Sequence, residues 1–291
     1  MKKQSSSHFL AVNSLQYHVR TWGDNQAPAI YLLHGWMDVS ASFQFVIDSL
    51  VKNWFVIAPD WRGFGLTEWA NSGYWFPEYV SDLERIVSHF TQDIPVHIVG
   101  HSMGGNIAGL YTGLFPQRVK RLILAEGFGM PPTDAKQAPS RMKKWINQRN
   151  DPPKLRPYGS KEEVAARLKT NTPGLSDERA DFLVQHWAKK ISNSEYELRA
   201  DPKHKMTNPI LYRHEEAFNF WSEITCPTLW VHSDSDWLTK FMKDDITTIA
   251  KYRSSFKNLS ETKICGSTHM MHHDSPEKFA TIIENFFNTE T

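Results

Sequence analysis

The sequence predicts an α/β architecture: a doubly wound, mostly parallel sheet of eight strands, interrupted by one helical insertion. Three observations predict it. Short apolar runs at 30–33, 54–58, 96–99 and 121–125 alternate with stretches whose apolar side chains recur at helical spacing. The run Val96-His97-Ile98-Val99 passes through a glycine-flanked serine, Gly100-His101-Ser102-Met103-Gly104, directly into helix-forming sequence. The alternation then breaks over 130–222 and resumes at 228. Strands of this kind are joined by right-handed crossovers, covered on both faces, and bind ligands at their carboxyl ends.

In chain order, residues 9–12 and 17–20 read as two strands around a hairpin turn at Asn13-Ser14. Strand 30–33 ends at His34-Gly35-Trp36, and a helix is expected over 42–51. Strand 54–58 leads into Pro59-Asp60-Trp61-Arg62-Gly63-Phe64-Gly65, where Asp60 and Arg62 are expected to form an ion pair or turn. Val80, Leu83, Ile86, Val87 and Phe90 mark one face of a helix over 77–90. The helix after the serine runs towards Phe115 and stops at Pro116. Strand 121–125 completes the first half.

Prolines then cluster at Pro131-Pro132, Pro139 and Pro152-Pro153. Helices are expected over 161–169, 176–190 and 213–221, and no strand. Phe182, Leu183, Trp187, Phe218, Phe220 and Trp221 supply an apolar face that a disordered linker would lack. The expected division is a core of 1–129 and 223–291, with 130–222 as a helical cap over the carboxyl ends of the sheet. There Trp187 and Trp221 are candidate pocket walls. Strand 228–231, a helix over 241–251 and strand 261–265 follow. Asp274-Ser275-Pro276-Glu277 opens a final helix.

Composition excludes several function classes. The 291 residues carry 33 basic and 32 acidic side chains, a net charge of +1, which gives no electrostatic case for nucleic acid or an anionic membrane. No apolar run approaches the ~18 residues of a membrane span. Met1-Lys2-Lys3 starts like a signal peptide, but no apolar segment follows, so a cytoplasmic protein is expected. Cys226 and Cys265 are expected to be free and buried. No phosphate-cradling or metal-ligand spacing appears, so no cofactor and no metal is expected. The expected partner is a small-molecule substrate, with a homodimer compatible.

The chemistry centres on Ser102. In a strand–turn–helix elbow, Gly100 and Gly104 remove side chains that would crowd the serine, and its hydroxyl stands above a helix N-terminus. Serine is a poor nucleophile at neutral pH and needs a base, which in turn needs an orienting group. Both must come from loops at carboxyl strand ends. His269, after the last strand, meets that condition. His272 and His273 lie nearer the final helix and are expected at the surface or in its cap. Asp236 and Asp234 follow strand 228–231, and Glu126 follows strand 121–125. All three are candidate acids.

Taken together, His34-Gly35-Trp36, the Asp60–Gly65 segment, Gly100–Gly105 and Gly266-Ser267-Thr268-His269 ahead of Ser275-Pro276-Glu277 resemble the α/β-hydrolase fold superfamily, over roughly 30–127 and 224–287. Within it, the first two segments are similar to serine hydrolase-like proteins and neighbouring carboxylesterases. The resemblance implies Ser102 as nucleophile, His269 as base and Asp236 as acid, with Ser233 where the family usually has glycine. It implies an oxyanion hole made by the backbone N–H groups of Trp36 and Met103, with His34 supporting that loop. The function expected is a serine esterase, and the finite depth of a capped pocket directs it to small or medium carboxylic esters. Cofactor-free dioxygenase, carbon–carbon hydrolase and non-catalytic binding protein are the alternatives on the same fold.

Overall fold

Asn13 and Ser14 both take positive φ, 44° and 67°, the backbone of a type I′ turn. They close a hairpin of β1 (Ser5–Val12) and β2 (Leu15–Trp22). This computed structural model describes residues 2–289 except 72, 132, 193, 194, 236 and 244. After the hairpin come β3 (Ala29–Leu33), α1 (Gln44–Ser49), β4 (Phe55–Pro59), α2 (Phe76–Thr91), β5 (Val96–His101), α3 (Met103–Leu114) and β6 (Val119–Ala125). A single turn of 3-10 helix, Ser40–Phe43, precedes α1 and takes the place of the first part of the helix expected there.

The segment beyond β6 contains α4 (Ala138–Asn150), α5 (Lys161–Asn171), α6 (Asp177–Trp187), a two-stranded ribbon of β7 (Ala188–Ser192) and β8 (Glu195–Leu198), and α7 (His214–Ser222). The ribbon corrects the expectation of a purely helical insertion. Ala188, Lys189 and Lys190 are good helix formers, but pairing with Leu198, Glu197 and Tyr196 overrides that propensity. Helix α4 was not expected at all, and none of its residues is buried. Its apolar residues Met142, Trp145 and Ile146 do recur at helical spacing, but Met142 and Ile146 are exposed and the stripe turns to no core. The chain ends with β9 (Thr228–Ser233), α8 (Trp237–Phe241), α9 (Ile246–Ser255), β10 (Leu259–Ile264), α10 (Met271–Asp274) and α11 (Pro276–Asn288).

The eight-stranded sheet runs β1-β2-β4-β3-β5-β6-β9-β10, antiparallel at β1-β2 and β2-β4 and parallel from β4 onward. Helices lie on both faces. α2, α3, α7 and α9 bury apolar side chains on one side, and α1 and α11 on the other. Register pairs Leu33 with Gly100, His101 with Ala125, Ala125 with Val231 and Ser233 with Ile264. The residues that follow the ends of β3, β5, β6, β9 and β10 therefore emerge side by side. Trp221 belongs to the core, 2% exposed and stacked on Phe128 and Phe256, and is no pocket wall.

Asp60 and Arg62 do not pair with each other. Asp60 Oδ2 lies 2.8 Å from His18 Nδ1. Arg62 donates through Nε and Nη2 to Asp82 at 2.6 and 2.7 Å, and its backbone N–H donates to Tyr17 Oη at 2.9 Å. Asp82 and Arg62 are both buried. Arg62→Met would leave that carboxylate without its cation, a loss of ~3–5 kcal/mol. The expected result is a correspondingly lower urea midpoint; a change below ~1 kcal/mol would mean the pair behaves as a surface ion pair. Of the cysteines, Cys226 is buried as expected, whereas Cys265 is exposed because it lies just past the end of edge strand β10; both are free. Among the described residues, no helix is long and apolar enough to cross a membrane.

Candidate active site

Ser102 joins β5 to α3 at φ 50° and ψ −117°. A non-glycine residue rarely holds this backbone, and the surroundings fix it here. Its N–H donates to Ala125 O at 2.9 Å. A Cβ on Gly100 would lie 2.5 Å from Gly104 O and Gly105 Cα, and one on Gly104 would lie 2.2 Å from Leu33 O. Glycine is thus required on both sides of the serine. The loop after β3 closes on the same point: a Cβ on Gly35 would come within 3.1 Å of Ser102 Cβ. This brings Trp36 to the elbow, while Met103 is the first residue of α3, where backbone N–H groups have no intrahelical acceptor. His34, fully buried, supports this loop as expected: its Nδ1 donates to Gly35 O at 2.8 Å, and its Nε2 accepts from Trp61 N at 2.9 Å.

His269 lies on the loop between β10 and α10. Its ring stacks on Trp237 with centroids 3.7 Å apart, and its carbonyl accepts from His101 Nε2 at 2.8 Å. Burial, then the charges of His272 and His269, hold the His101 pKa well below the usual histidine value. His101 is therefore neutral with its proton on Nε2, and it ties the elbow to the histidine loop. Thr268 N donates to Asp274 Oδ2 at 2.9 Å, closing the loop on itself.

The three candidate acids fare differently. Asp236 lies outside the described residues. Asp234 is exposed and accepts from Gly266 N at 2.6 Å, with Lys263 as its second partner. Glu126 is buried, and its Oε2 lies 3.5 Å from His269 Nδ1. Neither of those two atoms has a hydrogen-bond partner among the described residues. The other carboxylate oxygen, Oε1, accepts from Ser233 N at 2.5 Å, and Glu126 N donates to Val231 O at 2.9 Å. Like Ser102, Glu126 has a positive φ, 51°. Its sequence signal was its place directly after β6, next to the serine strand.

His272 and His273 are not surface residues; both are fully buried. A buried carboxylate explains this. Asp38 Oδ1 accepts from Val39 N at 2.8 Å and from Trp187 Nε1 at 2.9 Å. Asp38 Oδ2 accepts from Ser42 Oγ and from His272 Nε2, both at 2.9 Å. Burial alone would raise this carboxyl; the His272 hydrogen bond and the charges of His273, His272 and His34 hold it well below the usual carboxylate range. Asp38, His101 and His272 bring one possible metal-ligand atom each within 4.8 Å of one another. Both carboxylate oxygens already have two donors, so the set reads as a hydrogen-bonded network.

The comparisons with known proteins agree with this fold. A family model described as alpha/beta hydrolase fold matches residues 28–276. The chain is 26% identical over 299 residues to a serine hydrolase-like protein of Danio rerio, covering 100% of this chain and 91% of that one. Its fold is similar to a thioesterase domain from the curacin biosynthetic pathway, with a TM-score of 0.84 and 21% identity over 96% of this chain and 99% of that one. It is also similar to an esterase from Mycobacterium tuberculosis, with a TM-score of 0.72 and 17% identity over 98% and 92%. With the elbow, the strand order and a match spanning most of its length, the chain belongs to the α/β-hydrolase fold family and is a hydrolase.

Proposed function

We propose that the protein is a serine hydrolase acting through an acyl-enzyme, with small or medium carboxylic esters as its substrates. The observation that carries the reading is the strained backbone of Ser102 at the N-terminus of α3, on the same sheet end as His269. In this reading the Ser102 hydroxyl attacks the ester carbonyl while His269 Nε2 takes its proton. The developing oxyanion is held by the N–H groups of Trp36 and Met103, each worth ~3 kcal/mol in the transition state. His269 then returns the proton to the leaving alcohol, and water repeats the sequence to release the acid.

For the third member of the triad, the proposal moves from Asp236 to Glu126. The 3.5 Å approach of its free oxygen to His269 Nδ1 supports this, as does the fixing of its other oxygen by Ser233. Residues 130–222 act as a cap in this proposal. Trp187 reaches Asp38, two residues after Trp36, and the Gly65 N–H donates to Arg199 O at 2.8 Å, so the segment meets the core at the loops that follow β3 and β4. A covered site has finite depth, which favours short acyl chains.

Two measurements test the reading. A fluorophosphonate probe should label Ser102; an unlabelled Ser102 in folded protein removes the acyl-enzyme mechanism and leaves the dioxygenase or binding readings. Across p-nitrophenyl esters of graded chain length, kcat/KM should peak at short or medium acyl groups. A steady rise towards long chains would overturn the substrate class.

A further inference from the structure

The contacts of α6 extend beyond its own segment to the loop that carries His269. Trp187, its last residue, donates through Nε1 to Asp38 Oδ1, while His272, three residues after His269, donates to Asp38 Oδ2. One buried carboxylate is held from both sides, by the inserted segment through one oxygen and by the histidine loop through the other. Two donors from its own stretch, Val39 N and Ser42 Oγ, occupy the remaining positions. A carboxylate buried this deeply keeps its orientation only while its donors stay in place, because each unpaired lone pair in a low dielectric is costly. At the other end of α6, Arg179 Nη1 donates to the His273 carbonyl at 3.1 Å, and Arg179 Nη2 lies 2.5 Å from Glu277 Oε1. The same helix therefore grips the 269–277 segment at two points.

We propose that α6 is a positioning element for His269, acting through Trp187–Asp38–His272 and through Arg179 on the His273 carbonyl. Trp187, Asp38, His272 and Arg179 are positioning residues: none touches the reacting atoms. Trp187 serves as a strut in this arrangement and does not shape the acyl pocket. The proposal rests on the reading of His269 as the catalytic base. It adds that the insertion must be seated for the base to be in place. Asp38 also follows the oxyanion loop by a few residues, so the same contact steadies Trp36.

Trp187→Phe keeps the ring and removes the N–H. The expected result is a fall in kcat of about tenfold, the effect of losing one hydrogen bond to a charged group. The fall should be equal across the ester series, with KM within about twofold, because an orienting contact adds no direct substrate binding. Arg179→Gln should act in the same direction and more weakly, since its partner Glu277 is exposed and screened. A second readout is independent of turnover. The His272 Nε2 proton should give a slowly exchanging NMR resonance in the native protein, and its protection should fall in Trp187→Phe. A lower melting temperature with unchanged kcat and an unchanged His272 resonance would reduce the contact to a structural one and overturn the proposal. A shifted chain-length profile at unchanged maximal kcat would make Trp187 a pocket wall and overturn it as well. Failure of the underlying reading is seen separately, as absent fluorophosphonate labelling of Ser102 in the unmodified protein.

Discussion

Ser102→Ala should lower kcat by ~10⁴-fold or more and abolish the pre-steady-state burst of leaving alcohol. The size follows from the division of labour at the elbow. The proposed oxyanion donors, the N–H groups of Trp36 and Met103, are backbone groups and survive the substitution, so in this proposal only the nucleophile is lost. Alanine adds no bulk beside Gly100 and Gly104, so the crowded turn has no new clash to relieve. Burst kinetics with a chromogenic ester read the outcome directly. A burst that persisted in the variant would place the nucleophile elsewhere. Turnover retained without a burst would favour chemistry in which His269 acts as base and the serine only binds.

The second large effect is expected at Glu126. Glu126→Gln keeps the shape and the Ser233 contact but removes the negative charge facing His269 Nδ1, and kcat should fall by ~10⁴-fold, the effect of losing the group that sets the histidine tautomer. Asp234→Asn should cost little, because its carboxylate is exposed and engaged with Gly266 and Lys263. Asp236→Asn completes the comparison. A loss in Asp236→Asn as large as that proposed for Glu126→Gln, with Glu126→Gln near native, would return the acid to the loop after β9.

The comparison of these carboxylates shows where sequence reading reaches and where it stops. The parallel sheet was legible because its strands are buried on both faces and appear as continuous apolar runs. The serine was legible because two glycines next to it answer a local steric demand. The acid was not decided by any local rule. Asp236, Asp234 and Glu126 all follow strands whose carboxyl ends adjoin; side-chain placement separates Glu126 from Asp234, while Asp236 lies outside the described residues. His272 and His273 were misplaced for the same reason. Their burial depends on Asp38, 234 residues away in sequence from His272, and no periodicity reports such a partner. Beyond β6, the apolar residues of α6 and α7 gave signals, whereas α4 buries nothing and the short β7–β8 ribbon mixes lysines and glutamates with Ile191, Tyr196 and Leu198.

The strand order carries a cost during synthesis. β6 lies inside the finished sheet, between β5 and β9, yet Leu122–Ala125 must pair with Thr228–Val231. Between those strands the ribosome adds roughly 100 residues, which at 5–20 residues per second takes on the order of 5–20 s. Throughout that interval the nascent chain presents the Leu122-Ile123-Leu124-Ala125 edge without its partner, an open ladder of the kind that recruits other chains. The length of the segment between β6 and β9 therefore sets how long that edge stays open: lengthening it prolongs the exposure of β6, and slowing translation after residue 125 does the same.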